Sequence, residues 1–217
     1  MLNFFLDLLF PEKCLGCKKS GVPVCVDCIL AAEPAVDPND LNVFSPFAFH
    51  DPVIRKSIQK LKYYGGKQIA DSLGAALYDR ALETISDKRQ LWGLSHEEQV
   101  VLIPIPLSAS RLNQRGYNQT ELIVNAFVKE ARGMSFTVFN NVLYKTRETK
   151  SQVSVKDRNK RLRNILGAFE VKNKVPIVDR CVILFDDVTT TGATLAECRK
   201  VLIASGAREV FAITVAH

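Results

Sequence analysis

The stretch Val182–Thr194, VILFDDVTTTGAT, constrains this chain more than any other. Four apolar residues, Val182 to Phe185, run without alternation, as a parallel strand covered on both faces requires. Asp186 and Asp187 follow, at the carboxyl end of such a strand, where open α/β sheets hold their ligands. The loop Val188–Ala193 then supplies hydroxyls, a glycine that admits close backbone approach, and the N–H groups that open a helix over Thr194–Ala204. Leu195, Cys198 and Leu202 share one face of that helix.

The loop suits a phosphate, and the two carboxylates would repel one. They must therefore serve another part of the same ligand, and sugar hydroxyls are the donors that carboxylates accept. A phosphate at one end and ribose hydroxyls at the other describe a ribose 5-phosphate. The pattern from Val182 through Asp186-Asp187 to Thr191-Gly192-Ala193-Thr194 resembles the phosphoribosyl-pyrophosphate (PRPP) loop of the type I phosphoribosyltransferases. That resemblance implies that Asp186 and Asp187 hold the ribose 2′ and 3′ hydroxyls, with Thr190, Thr191, Gly192, Ala193 and Thr194 around the 5′-phosphate.

Near the other end, Cys14-x-x-Cys17 and Cys25-x-x-Cys28 stand seven residues apart. Two close pairs of thiols, with Gly16 and Gly21 for tight turns, form the ligand set of a closed tetrahedral site, and structural zinc is the expected occupant. All four positions are thiols, which leaves none for a catalytic water. A segment this short folds on metal binding rather than on apolar burial. Ala31–Asn42, with Pro34, Pro38 and three acids, is read as a linker. The chain divides accordingly into a zinc-binding segment, residues 1–40, and a larger α/β unit, residues 41–217.

Within that unit the pattern predicts a strand over Val43–Phe49 and a helix capped by Asp51 with Pro52 at its first position. The helix breaks at Gly65-Gly66, and a second one buries Ile69, Leu73 and Leu77. Lys62 and Lys67, beside the glycines, are read as solvated cations. A buried strand over Val100–Ile105 precedes a loop, Leu107–Gln119, whose Arg111 and Arg115 suit a pyrophosphate. A helix over Gln119–Arg132 and strands over Phe136–Val142, Ala168–Val171 and Glu209–Val215 complete a mostly parallel, doubly wound sheet.

Charge is concentrated in one place. The formal net charge is +6, and Lys145–Arg163 carries eight basic residues against two acids, the whole of that excess. The first half of Leu143–Gly167 almost lacks apolar pattern, so it is expected to be mobile, and Lys156, Arg158 and Lys160 farther along the segment are candidate contacts for pyrophosphate or DNA. No apolar run reaches the ~20 residues of a membrane span, and Met1–Phe10 lacks the basic start of an export signal, so the expected location is cytoplasmic, without membrane insertion. Tyr117, Tyr144 and Phe169 are candidates to stack on bases, with core packing the more common use of aromatics at helix and strand positions.

Two further stretches carry a second resemblance. Pro104-Ile105-Pro106-Leu107, Arg111 and Arg115-Gly116-Tyr117-Asn118-Gln119, with Tyr117 in place of the usual Phe, are similar to the PVPL…RGFNQ segment of the competence protein F (ComF) family. Thr149, Gln152, Arg161, Asn164 and Ala168-Phe169 fit its T-x-x-Q…R-x-x-N…AF pattern, and Val155 stands where Leu is common. With the four cysteines and the PRPP-like loop, the likeness spans essentially the whole chain. It implies a protein of natural transformation that handles incoming single-stranded DNA beside a helicase-like ATPase, with a type I phosphoribosyltransferase-like fold. The alternative it leaves open is an active phosphoribosyltransferase, using PRPP with Mg²⁺ and a nitrogen acceptor.

Overall fold

The structure is a computed structural model and describes residues 12–36, 42–63, 66–95, 97–131, 133–148 and 165–217. In chain order its elements are α1 (Val26–Leu30), β1 (Val43–Phe44), α2 (Pro52–Tyr63), α3 (Lys67–Leu91), β2 (Val100–Pro104), α4 (Ala109–Arg115), α5 (Gln119–Glu130), β3 (Phe136–Val138), β4 (Leu143–Lys145), β5 (Phe169–Val171), β6 (Cys181–Val188), α6 (Ala193–Ala204) and β7 (Glu209–Ala216). Five strands form one parallel sheet in the order β1-β7-β6-β2-β3, and β4 and β5 pair antiparallel beside it.

Side chains along each central strand alternate between two cores, because successive residues of a strand point to opposite faces. Val100 and Leu102 of β2, Ile183 and Phe185 of β6, and Phe211 and Ile213 of β7 join α2, α3 and α5 on one face. Val101, Ile103, Val182, Leu184, Val210 and Ala212 join α6 and the β4–β5 pair on the other. The sheet is thus covered twice, which is why β6 shows four apolar residues in a row with no polar alternation.

The connections leave the centre in opposite directions. From β2 the chain passes through α4 and α5 outward to β3, whereas from β6 it passes through α6 to β7 on the other side. Between β2 and β6, paired from Val101–Val182 to Pro104–Phe185, lies the switch point where an open sheet opens a crevice at its carboxyl edge.

Local chemistry accounts for the helix starts. Asp51 Oδ1 accepts from the N–H groups of Val53 at 2.8 Å and Ile54 at 3.1 Å, and Pro52 occupies the first turn, where a missing N–H costs nothing. Asn118 caps α5 through Thr120 N–H at 3.1 Å. Helices α3 and α5 cross closely because position 74 is glycine: a Cβ there would lie 2.5 Å from Ala126 Cβ and 2.7 Å from Phe127 N.

Several boundaries differ from the sequence expectation. Leu107–Gln119, read as a loop, contains the seven-residue helix α4, which Gly116 ends at φ +77°. The strand expected over Phe136–Val142 stops at Val138, and a separate strand starts at Leu143. Leu143, placed in a mobile half-loop, is instead buried and paired with Val171, and Lys172 lies 4.6 Å from the Tyr144 ring centre. Lys156, Arg158 and Lys160, like Thr149, Gln152, Arg161 and Asn164, lie outside the described residues.

The cysteine segment is joined to the larger unit. Cys14, Val24, Ile29 and Ala32 belong to the same buried cluster as α2 and α3. Ser72 Oγ donates to the Val24 carbonyl at 2.8 Å, and Arg80 to that of Leu30 at 2.7 Å. The expected linker is tied down where it begins, with Pro34 bridged to Phe47 and Ala35 N–H donating to the Pro46 carbonyl at 3.1 Å.

Candidate ribose-phosphate site and metal centre

The alternation that builds two cores also separates the adjacent aspartates. Asp187 continues the Ile183–Phe185 side of β6 and faces α2 and α5. Asp186 continues the Val182–Leu184 side and faces β4 and α6. Both line a cavity of about 420 Å³ at the carboxyl edge of the sheet, together with Pro106 and Leu107 after β2 and Thr190 and Thr194 after β6.

Asp187 is 5% exposed and fully engaged on one oxygen. Its Oδ2 accepts from Gln119 Nε2 at 2.8 Å and pairs with Lys62 Nζ at 2.9 Å. Gln119 Oε1 in turn accepts from Arg115 at 2.8 Å, and Arg115 stacks 5.4 Å from the Tyr63 ring centre. The Tyr117 hydroxyl donates to the Leu61 carbonyl, which fixes the end of α2 that carries Lys62.

Asp186 lies in a different environment. Burial first, and the neighbouring Asp187 charge second, push its carboxyl up to about 7, against the pull of Asp187 N–H, Lys62 and Lys145. Asp187 N–H donates to Asp186 Oδ1 at 2.8 Å. Burial, with help from Arg111, lowers the Lys145 ammonium, and the Asp186 charge opposes it. Burial, and then the Asp186 charge, hold the Cys198 thiol well above its ordinary value.

The cavity therefore has four cations, Lys62, Arg111, Arg115 and Lys145, facing two carboxylates. One of those carboxylates already has a lysine partner and the other is reluctant to ionise. The balance favours a ligand carrying several negative charges. The Thr/Gly loop enters α6 through Gly192 at φ +70°, a left-handed conformation that glycine adopts without strain. Thr191 Oγ1 accepts from Ala193 N–H at 3.4 Å, the Ala193 side chain is buried, and Thr190 and Thr194 form the cavity wall.

Two participants escaped the sequence reading. Lys62, taken as solvated, is an ion-pair partner of Asp187 with a side chain only 22% exposed. Gln119 received no role of its own, yet it fixes Asp187. Its signal was available: it lies one turn before Ile123 on the inward face of α5, where a polar residue must find a partner. Of the aromatic residues singled out for stacking, Phe169 is 5% exposed and lines the cavity from β5, while Tyr117 is half-buried and engaged with Leu61.

At the other end of α2, the sulfurs of Cys14, Cys17, Cys25 and Cys28 lie within 4.8 Å of one another. Cys14–Cys25 and Cys17–Cys25 are 3.7 and 3.9 Å apart. A tetrahedral cage with metal–sulfur bonds of about 2.3 Å separates its sulfurs by about 3.8 Å, so the donor set fits a four-thiolate metal site. Burial favours the Cys14 thiol, but N–H groups of Cys25, Gly16 and Cys17 outweigh it and bring the group down to about 6. The half-buried Cys28 is pushed up to about 12, first by the Cys25 sulfur beside it and then by partial desolvation. Gly16, expected as a turn residue, is required for space: a Cβ would sit 2.6 Å from Cys28 Sγ. Gly21 does take a left-handed turn, at φ +101°.

Among the described residues no helix is long and apolar enough to cross a membrane. Among solved structures, a hypoxanthine phosphoribosyltransferase from Staphylococcus aureus aligns with 66% of this chain and 62% of its own, at 11% identity and a TM-score of 0.40. One from Trypanosoma cruzi aligns with 66% and 64%, at 12% identity and a TM-score of 0.41. No protein-family model matches the chain. By sequence it is 33% identical over 155 residues to competence protein F of Haemophilus influenzae, covering 70% of this chain and 63% of that protein. It is 29% identical over 163 residues to the DNA utilization protein YhgH of Escherichia coli, covering 75% and 66%. With the competence protein ComFC of Streptococcus pneumoniae it shares 28% identity over 200 residues, 92% of this chain and 78% of the other. The chain thus spans less than two thirds of the length of the first two relatives. It is similar in sequence to the competence protein F, ComFC and YhgH proteins, and it has a mostly parallel α/β sheet and four cysteines clustered near its N-terminus.

Proposed function

We propose that the cavity binds a ribose 5-phosphate group, as part of PRPP with Mg²⁺ or of a related ribose phosphate, in a protein that serves DNA uptake. The observation that carries the reading is the pair Asp186–Asp187 at the switch point of the sheet, in a cavity that the Thr/Gly loop and four cations also line. Asp186 and Asp187 accept the sugar hydroxyls. Thr190 and Thr194 donate to the 5′-phosphate at the start of α6, and Arg111 and Arg115 face the diphosphate.

The names of the relatives, competence and DNA utilization, support the setting. In this reading the protein is cytoplasmic and works on single-stranded DNA beside a helicase-like ATPase, with Lys156, Arg158 and Lys160 following the DNA backbone. The cysteines hold zinc as a structural ion within residues 1–40, and residues 41–217 form the ribose-phosphate unit. The fit of the sulfur spacing supports that part. A second reading is transfer of ribose 5-phosphate from PRPP to a nitrogen acceptor. The paired carboxylates favour it, since they would meet positive charge developing on the sugar ring.

Calorimetric titration of Mg²⁺-PRPP into the wild type and into an Asp186→Ala, Asp187→Ala variant tests the reading. Saturable binding that the variant loses is the expected result. Absence of binding to the wild type overturns it.

A further inference from the structure

We infer that Lys62 is a switch that couples the anion end of this cavity to its sugar end, a specificity-determining residue contributed by α2 and not by the aspartate loop. The inference rests on the ribose-phosphate reading. Asp187 Oδ2 has two partners, Lys62 Nζ at 2.9 Å and Gln119 Nε2 at 2.8 Å, and these occupy the lone pairs of that oxygen. A sugar hydroxyl that donates to Asp187 must use the other oxygen or displace one partner.

The two partners differ in freedom. Gln119 is 3% exposed and its own carbonyl oxygen is held by Arg115, so its amide is fixed at both ends. Lys62 holds Asp187 with one ammonium on a flexible stem, its side chain 22% exposed toward the same cavity that Arg111 and Arg115 line. The hydrogen bond from Tyr117 to Leu61 anchors the helix backbone beside it, so the side chain moves and α2 stays. A diphosphate entering beside Arg111 and Arg115 offers Lys62 oxygens of higher charge than Asp187. Lys62 then transfers to the anion, and Asp187 is released to accept the sugar. By linkage the effect is reciprocal: sugar at Asp187 frees Lys62 for the anion. The two parts of the ligand favour each other despite their like charges, and free ribose or a lone anion engages only half of the switch.

The test titrates inorganic pyrophosphate and ribose 5-phosphate, separately and together with Mg²⁺, into the wild type and Lys62→Met. In the wild type each probe should tighten the other. In the variant pyrophosphate should bind about tenfold more weakly, having lost one charge-assisted hydrogen bond, while ribose 5-phosphate binds more tightly and the synergy turns to antagonism. Opposite signs for the two probes separate a switch from general damage to the site. Lys62→Gln, run alongside, should behave in the same way and serves should the Met variant not fold. Both affinities unchanged, or both shifted in one direction, would mean that Lys62 is only a counter-ion and would overturn the inference. If the wild type binds neither probe, the ribose-phosphate reading itself falls.

Discussion

Gln119 donates from its side-chain nitrogen to Asp187 at 2.8 Å across a sequence separation of 68 residues. That bond joins the first turn of α5 to the end of β6, and it holds the aspartate that the sheet buries on the α2–α5 side.

Gln119→Leu should therefore do more than remove a hydrogen bond. It leaves Asp187 with Lys62 as its ion-pair partner and takes away the acceptor of Arg115. A loss of about 1–3 kcal/mol is expected in urea unfolding, together with weaker binding of Mg²⁺-PRPP. Unchanged stability and unchanged binding would refute the positioning role.

The raised carboxyl of Asp186 makes stability depend on pH in a defined direction. Its folded value of about 7 lies above the ordinary 3.8, so the folded chain holds the proton more tightly than the unfolded one. The contribution is present at low pH, is lost as pH rises from about 4 to about 7, and stays lost above that. Asp186→Asn should melt higher than the wild type at pH 8 and close to it at pH 4. An equal gap at both values would show that burial does not control this group.

Replacing Cys14 or Cys25 by Ser breaks the four-thiolate set at a buried and a half-buried position. Bound zinc, measured by elemental analysis of the purified protein, should fall, and α1 should lose its protection from proteolysis. Full metal content in either variant would remove the cysteines from the metal site.

Gly16→Ala leaves every thiol in place, so it tests the packing around them. The added methyl meets Cys28 Sγ at 2.6 Å and Cys28 Cβ at 2.8 Å. Overpacking of about 1–3 kcal/mol is expected, read as a lower melting temperature and faster release of metal to a chelator. A variant indistinguishable from the wild type would mean that the segment relaxes around position 16.

The basic segment makes the DNA part of the proposal measurable. Neutralising Lys156, Arg158 and Lys160 together should weaken single-stranded DNA binding and flatten its dependence on salt, with a slope change of about 0.7 for each phosphate no longer neutralised. An unchanged slope would place DNA elsewhere on the protein.

The features legible in the residues alone are local ones. The apolar run of β6, the Asp51 cap with Pro52 behind it, the stripe of α6 and the spacing of the cysteines each depend on residues within a few positions of one another. Backbone periodicity and short-range hydrogen bonding determine such features, so sequence alone decides them. The doubly wound sheet followed from the same periods, read in order. The brief helix α4 was missed because its seven residues bury nothing and leave no apolar stripe. The partners of the aspartates belong to another class. Only the crossing of α5 over β6 brings Gln119 to Asp187, and only the return of α2 to the carboxyl edge turns Lys62 from a solvated cation into an ion-pair partner. Gly16 and Gly74 carry the same lesson, since each is glycine for the atoms that other elements bring against it, Cys28 in one case and Ala126 in the other. Sequence determined which residues could do chemistry. The tertiary structure decided which of them meet, because those distances are set by packing between elements far apart in the chain.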